Sequence, residues 1–219
     1  KIPVVAEHAI KCSEAISPYD FPYLFHAGSL TEEKDGILGM IEAFGIARNR
    51  VGINLKYIFT GNVSGSNYSE RIKEIISQYN LSDSVVFLGF LPQEQLYRHL
   101  QFCTLAIVNK YDTIQNRYCF ATKLAEYLSY SIPVVTTSVG ESKFYLTDGL
   151  NAYVTEPHKP QLLAEKIVEA IGNNADRQRI AAGGSELFEK SFFYMSYCDV
   201  LVDFFEQIVS LRQYKKSSI

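Results

Sequence analysis

Short apolar segments rich in β-branched and aromatic residues alternate in this chain with segments whose apolar residues recur every three or four positions. The first pattern is typical of buried strands, and the second is typical of helices that place one face on a core. The clearest strands are expected at positions 23–27, 55–60, 85–89, 104–108 and 134–135. Strands and helices that alternate in this way predict a doubly wound α/β domain, in which helices cover both faces of a parallel, Rossmann-like sheet.

The helices are expected between these strands and towards the end of the chain. They are predicted at about 37–50, 72–79, 92–100, 123–128, 142–146, 160–171, 176–188 and 195–213, with a short strand at 152–154. The segments 29–35 and 109–122 are predicted to be loops.

Composition narrows the classes of protein to which the chain can belong. Of its 219 residues, 47% are hydrophobic and 21% are charged, which is typical of a soluble globular protein of one or two domains. The formal charge of −3 gives no electrostatic case for a nucleic-acid partner. No apolar run approaches the roughly 20 residues that a transmembrane segment needs. The four cysteines lack the spacing of a zinc site or a disulfide framework, so a reduced, cytoplasmic protein is expected.

The loops that follow the strands are the places to look for a binding site. In parallel sheets, ligands bind beyond the carboxyl ends of the strands, which here are followed by the segments 28–34, 61–67, 89–92, 109–122 and 136–141. Glycine in such loops either allows close approach of a ligand or serves ordinary turn chemistry, and the sequence leaves both open. Neither GxGxxG nor GxxxxGK[ST] occurs, which gives no support for a dinucleotide fingerprint or a P-loop.

A predicted helix start near Ala121 is the strongest candidate within these loops. Free backbone N–H groups at Ala121, Thr122 and Lys123 would combine with the positive end of the helix dipole to suit an anion such as phosphate. Glu126 lies one turn further along, and its carboxylate suits sugar hydroxyls, which donate hydrogen bonds to it. The alternative is that Lys123 and Glu126 form an ordinary surface ion pair between neighbouring helical turns.

Several short motifs occur in a fixed order between positions 21 and 213. They are Gly28-Ser29-Leu30 before Lys34-Asp35-Gly36, a strand ending at Gly61, Phe87-Leu88-Gly89, Glu126 before Pro133-Val134-Val135, and Glu141 before Asp148-Gly149 and Asn151. In this order they resemble the C-terminal, donor-binding half of the retaining glycosyltransferases of group 1, also called family 4, which have the GT-B fold.

The resemblance assigns roles to individual residues. Lys34 is expected to contact the donor diphosphate and Glu126 the ribose hydroxyls of the nucleotide, while Ala121 and Thr122 would face the diphosphate. Lys123 is expected to be a further phosphate contact, so Lys34 and Lys123 are the expected catalytic residues, which would stabilise the leaving group.

The remaining expected donor-binding residues come from other loops of the same edge. They are Gly28, Ser29, Gly61, Gly89, Phe90, Leu91 and Tyr118, with the base expected at the backbone of 89–91. Ser29 stands where the family often has Arg, and Tyr118 stands where it has the first Glu of a pair. Asp112 and Asn116 are alternative contacts for the donor sugar.

The resemblance implies a hexosyltransferase that takes a sugar from a nucleotide-diphosphate sugar, with retention of configuration and without a metal or other cofactor. Its partners would be the nucleotide-sugar, a sugar or lipid-linked acceptor, and an N-terminal GT-B domain without which the isolated domain is inactive. Residues 1–20 would be a crossover remnant or linker, 21–213 the nucleotide-sugar-binding domain and 214–219 a frayed tail. A peripheral position at the inner membrane face is an alternative for the full-length protein.

Two other functions stay open at this point. One is a non-catalytic nucleotide-sugar-binding module, because the replacements at Ser29 and Tyr118 remove two charged groups of the family pattern. The other is a nucleotide-sugar epimerase on the same fold, which would convert its donor without an acceptor.

Overall fold

A single parallel sheet forms the centre of the computed structural model, which describes residues 3–12, 16–28, 30–61 and 68–216. Within these ranges the sheet has six strands: β1 Tyr23–Ala27, β2 Lys56–Thr60, β3 Val85–Phe87, β4 Leu105–Val108, β5 Val134–Thr137 and β6 Tyr153–Thr155. The strand order is β3-β2-β1-β4-β5-β6, and every neighbouring pair is parallel.

Helices connect the strands in sequence. They are α1 Glu32–Asp35, α2 Ile37–Val51, α3 Ser69–Gln78, α4 Gln93–Phe102, α5 Ile114–Arg117, α6 Thr122–Ser129, α7 Pro160–Gly172, α8 Asn174–Ser191 and α9 Cys198–Lys216, with 3-10 helices at Gly140–Phe144 and Tyr194–Tyr197.

The alternating side chains of β1 show how the sheet separates two hydrophobic cores. Leu24 belongs to the core that α2, α3 and α7 cover, whereas Tyr23 and Phe25 belong to the core under α4, α6 and α8. Because side chains alternate between the faces of a strand, apolar residues at successive positions require cover on both sides. The predicted doubly wound α/β fold is confirmed.

Two local predictions are wrong, and a third differs from the structure in the type and bounds of the helix. The predicted loop 29–35 contains the one-turn helix α1, which Gly36 ends by donating its N–H to the Glu32 carbonyl (3.0 Å). The predicted loop 109–122 contains α5, where the Thr113 side chain accepts a hydrogen bond from the Asn116 N–H (3.2 Å). The predicted helix 142–146 is a 3-10 helix at Gly140–Phe144. Single turns of this kind are too short to show apolar periodicity, so a sequence pattern does not reveal them.

The last helix, α9, shows much of its apolar surface to solvent. Val200, Val202, Phe204, Phe205 and Val209 are each more than half exposed.

None of the helices in the described part of the chain combines the length and the apolar character that crossing a membrane requires. The predicted division at residues 20 and 213 stays a prediction.

Candidate functional site

A cavity of about 180 Å³ lies at the carboxyl ends of β4 and β5, next to α1. The strand order reverses between β1 and β4, which is the position where doubly wound sheets bind their ligands. Among the described residues, three lysines and no carboxylate line the cavity, and the lysines are Lys34, Lys110 and Lys123. The cavity therefore suits an anionic ligand.

One buried carboxylate organises two of these lysines. Asp35 is fully buried, and its Oδ1 accepts hydrogen bonds from Lys110 Nζ (2.8 Å) and Lys123 Nζ (3.2 Å). Burial alone would raise the pKa of Asp35, but the charges and hydrogen bonds of Lys123 and Lys110 outweigh it and hold that pKa well below its usual range. Lys110 Nζ also donates to the backbone carbonyl of Lys34 (2.7 Å), whose own side chain is exposed.

Lys123 crosses the surface of Gly28 to reach this carboxylate. A Cβ atom on Gly28 would lie only 2.2 Å from Lys123 Nζ. Gly61, at the end of β2, has a φ of +116°, and a Cβ there would lie 2.0 Å from the Gly28 carbonyl oxygen. Both glycines therefore allow close approach within the protein itself, whether or not a ligand also approaches them.

His26 lies in β1 beneath the same ammonium group. Its Nδ1 lies 2.9 Å from the Ile107 carbonyl oxygen, and its Nε2 is buried without a hydrogen-bond partner among the described residues. Burial, together with the charge of Lys123, lowers the pKa of His26 to about 3, so the imidazole is neutral and Nδ1–H donates to Ile107. His26 is thus a neutral side chain packed in the interior.

The start of α6 forms another wall of the cavity. Ala121 is the N-cap residue and provides no side-chain cap, and Ala121, Thr122 and Lys123 all line the cavity. The first N–H groups of a helix have no partner within the helix, so they add donors to the cationic lining. The structure thus brings together Lys34, Ala121, Thr122 and Lys123 as the sequence predicts.

Glu126 faces a different cavity, of about 260 Å³, which Tyr97, Tyr130 and the segment around His8 also line. Burial raises the pKa of Glu126, and the positive charge of Lys123 opposes this rise. Its carboxylate accepts no hydrogen bond from the described residues and forms no ion pair with Lys123, whose ammonium bonds to Asp35 instead. The alternative interpretation of Lys123 and Glu126 as a surface pair is therefore wrong.

The loop after β3 carries the residues predicted at the base. Gly89 has a φ of +68° and accepts a hydrogen bond from Gly61 N–H (2.8 Å), while Phe90 is 81% exposed and Leu91 is half-buried. Ser29 lies outside the described residues.

The residues predicted near the donor sugar lie in or beside α5. Tyr118 is 87% exposed and lines a separate groove of about 480 Å³. Asp112 pairs with Arg117 (2.6 Å), and the buried Asn116 donates to the Tyr111 carbonyl (3.0 Å). Both alternative sugar contacts are thus engaged in local hydrogen bonds.

Sequence reasoning missed Asp35 and Lys110 as members of the site. Asp35 stands next to Lys34, and Lys110 follows the buried strand β4 by two residues. A charged residue just beyond the carboxyl end of a strand was the signal that could have drawn attention to Lys110.

Comparison with known proteins identifies the family. The sequence profile of the family described as "Glycosyl transferases group 1" matches residues 13–186, which is most of the chain. The chain belongs to the group 1 glycosyltransferases. Over 129 residues it is 28% identical to D-inositol 3-phosphate glycosyltransferase of Nocardioides sp., covering 56% of this chain and 27% of that protein.

Two solved structures show the same fold as this chain. Anabaena HepE, in complex with UDP-glucose, has a TM-score of 0.73 and 18% identity, with 86% of this chain and 49% of that chain covered. The C-terminal domain of the group 1 family protein LpcC of Francisella tularensis has a TM-score of 0.68 and 16% identity, with 81% and 89% covered. The chain thus spans 27% of this curated relative and 49% of HepE, and its sheet is one half of a GT-B fold.

Proposed function

We propose that this chain is the donor-binding half of a hexosyltransferase and that it holds the diphosphate of a nucleotide-sugar in the cavity between α1 and α6. The observation that carries the proposal is the convergence of Lys34, Lys110, Lys123 and the start of α6 on one cavity without a lining carboxylate among the described residues. A nucleoside diphosphate carries the concentrated negative charge that such a lining would neutralise.

The proposed chemistry is stabilisation of the departing nucleoside diphosphate. As the bond between the sugar and the diphosphate breaks, Lys34 and the free N–H groups of Thr122 and Lys123 would neutralise the charge that develops on the leaving oxygen. A single well-placed donor of this kind contributes about 3–4 kcal/mol in other enzymes that stabilise an oxyanion. Because lysines and amides supply this charge, the proposal includes no metal; retention of configuration enters it through the family resemblance.

Glu126 faces a cavity other than the lysine-lined one, but it lies only one turn after the start of α6, so it is proposed to bind the ribose of a nucleotide that extends from one cavity to the other. A half-buried carboxylate that accepts no hydrogen bond from the described residues has free acceptor positions for two adjacent hydroxyl groups. Such bonds to a charged acceptor are stronger than bonds between neutral groups.

The acceptor site is proposed to lie on a second, N-terminal domain of the GT-B fold. The fraction of HepE that this chain spans, 49%, leaves room for such a domain. The exposed apolar side chains of α9 would then pack on that domain, and the present chain alone would bind a donor without transferring its sugar to a sugar or lipid-linked acceptor.

A specific observation favours the alternative of a non-catalytic binding module. Tyr118 occupies the position of a family carboxylate, is 87% exposed, and lines a different groove from the lysines. Asp112, the nearest acidic residue in the chain, pairs with Arg117. If a longer form of the protein binds a nucleotide but cleaves no nucleotide-sugar in the presence of candidate acceptors, this alternative replaces the enzyme.

Calorimetric titration of the chain with UDP, GDP and ADP tests the proposed donor site. We expect one of the three to bind, and we expect Lys34→Ala and Glu126→Ala each to weaken it by about tenfold or more, because each removes a charge-assisted hydrogen bond. With the corresponding nucleoside, only Glu126→Ala should still have an effect, because the nucleoside has ribose but no phosphate.

Matched controls lie on the outer helices. Lys73→Ala on α3 and Glu165→Ala on α7 remove exposed charges away from the cavity and should bind as the wild type does. Absence of binding for all three nucleotides by the folded wild type would contradict the proposed function.

A further inference from the structure

The strongest unassigned group of charges is the pair of lysines on Asp35. Lys110 comes from the loop after β4 and Lys123 from the first turn of α6, and both ammonium groups donate to the same carboxylate oxygen. One carboxylate neutralises one ammonium, so this cluster has an excess positive charge. Lys34, the third lysine of the lining, adds to that excess.

Both ammonium groups retain hydrogen-bonding capacity. An ammonium has three donors. Within the described part of the chain, Lys110 uses two of them, on Asp35 and on the Lys34 carbonyl, and Lys123 uses one, on Asp35. Both side chains line the cavity and are only 15% and 20% exposed, so few of the unused donors can be fully solvated.

The excess positive charge is half-buried and incompletely hydrated, and this raises the free energy of the empty site. Removing a charged group from water costs free energy unless an opposite charge or hydrogen bonds compensate for it. An anion in the cavity would accept the unused donors and balance the charge. The cavity is thus arranged to gain free energy from an anion with more than one negative charge, such as a phosphate or a diphosphate.

We propose that Lys110 is a diphosphate ligand and that Asp35 is the positioning residue that holds it beside Lys123. This inference deepens the proposed function and rests on it for the identity of the ligand. It assigns to Lys110 a role that the sequence motifs do not suggest, since Lys110 lies in none of them. The role of Asp35 is indirect, because its carboxylate bonds to the two lysines and does not line the cavity.

Titration with inorganic pyrophosphate separates this inference from the nucleotide assignment. We expect the wild type to bind pyrophosphate and Lys110→Met to bind it about tenfold or more weakly, whereas Lys110→Arg should retain most of the affinity. Lys73→Met is the matched control, because Lys73 is exposed on α3. Equal affinities of wild type and Lys110→Met for pyrophosphate would overturn the role of Lys110, even if a nucleoside diphosphate binds.

A second measurement covers the case in which Lys110→Met does not fold. The wild type is methylated reductively with and without pyrophosphate, and modification of each lysine is followed by mass spectrometry. We expect pyrophosphate to slow modification of Lys110 and Lys123 at least threefold and to leave Lys73 unchanged. Unchanged modification of Lys110 at saturating pyrophosphate, or failure of pyrophosphate to bind at all, would overturn the inference. Protection by pyrophosphate without binding of any nucleotide would support the inference and contradict the proposed function.

Discussion

Asp35→Asn is expected to lower the free energy of unfolding by about 3–5 kcal/mol, which is typical for the loss of one partner from a buried charge cluster. Asp35 is fully buried, and the two lysines that bond to it are 15% and 20% exposed. An asparagine of nearly the same shape leaves two ammonium groups close together without a countercharge. Their repulsion and incomplete hydration then act on the folded state alone.

Urea unfolding at pH 7 measures this effect, and Asp148→Asn provides the matched control. Asp148 makes the same type of ion pair, with Lys166 at 2.6 Å, but its side chain is 46% exposed. Exposed pairs contribute about 0–1 kcal/mol. If Asp35→Asn costs no more than Asp148→Asn, the buried cluster does not stabilise the fold as we describe.

A second large effect is expected from His26 as the pH falls. Its pKa is about 3 in the folded protein, against an ordinary value of 6.5. Between these values the unfolded chain binds a proton that the folded protein does not bind, so stability falls as the pH drops below 6.5 and stops falling from this source near 3. Because pH 5 lies about 1.5 units below the ordinary pKa of 6.5, protonation of His26 in the unfolded chain lowers the free energy of unfolding at pH 5 by roughly 2 kcal/mol.

His26→Asn isolates this contribution. The asparagine amide can donate to the Ile107 carbonyl as Nδ1–H does, but it does not titrate. We expect the wild type to lose roughly 2 kcal/mol more than His26→Asn between pH 7 and pH 5 in urea unfolding. Parallel slopes for wild type and His26→Asn would show that His26 is protonated in the folded state.

Other titrating groups do not disturb this comparison, because the two proteins share them. Burial lowers the pKa of His99, so His99, like His26, makes the free energy of unfolding fall as the pH falls. Burial raises the pKa of Glu126, so Glu126 makes the free energy of unfolding rise as the pH falls. Only the difference between the two slopes is assigned to His26.

The sheet could be predicted from the sequence because its strands leave few alternatives. β1 is observed at Tyr23–Ala27 as predicted, and the pattern of α2 predicted a helix at 37–50 that is observed at Ile37–Val51. Apolar runs that end at glycine, and periodicity over several turns, are strong local signals. The one-turn helices α1 and α5 could not be predicted in this way, because four residues are too few to show a period.

The candidate site could be predicted only as far as its position. The rule that ligands bind at the carboxyl ends of parallel strands placed Lys34, Thr122 and Lys123 near one another. The partnership of Asp35 with Lys110 depends on β1 and β4 being neighbours, and no local pattern encodes strand order. Likewise, the cavity that Glu126 faces depends on how α6 packs against α4.

The order in which the strands meet has a consequence for how the protein acquires its ligand. Asp35 is separated from Lys110 by 75 residues and from Lys123 by 88 residues. Contacts between such distant residues require long loops to close, so they form only when β1 and β4 have paired. A partly folded chain, for instance one still emerging from the ribosome before β4 and α6 are made, therefore contains its glycines and Lys34 but has no anion site. Anion binding thus reports on the completed sheet, and a bound ligand would stabilise that finished state over every intermediate.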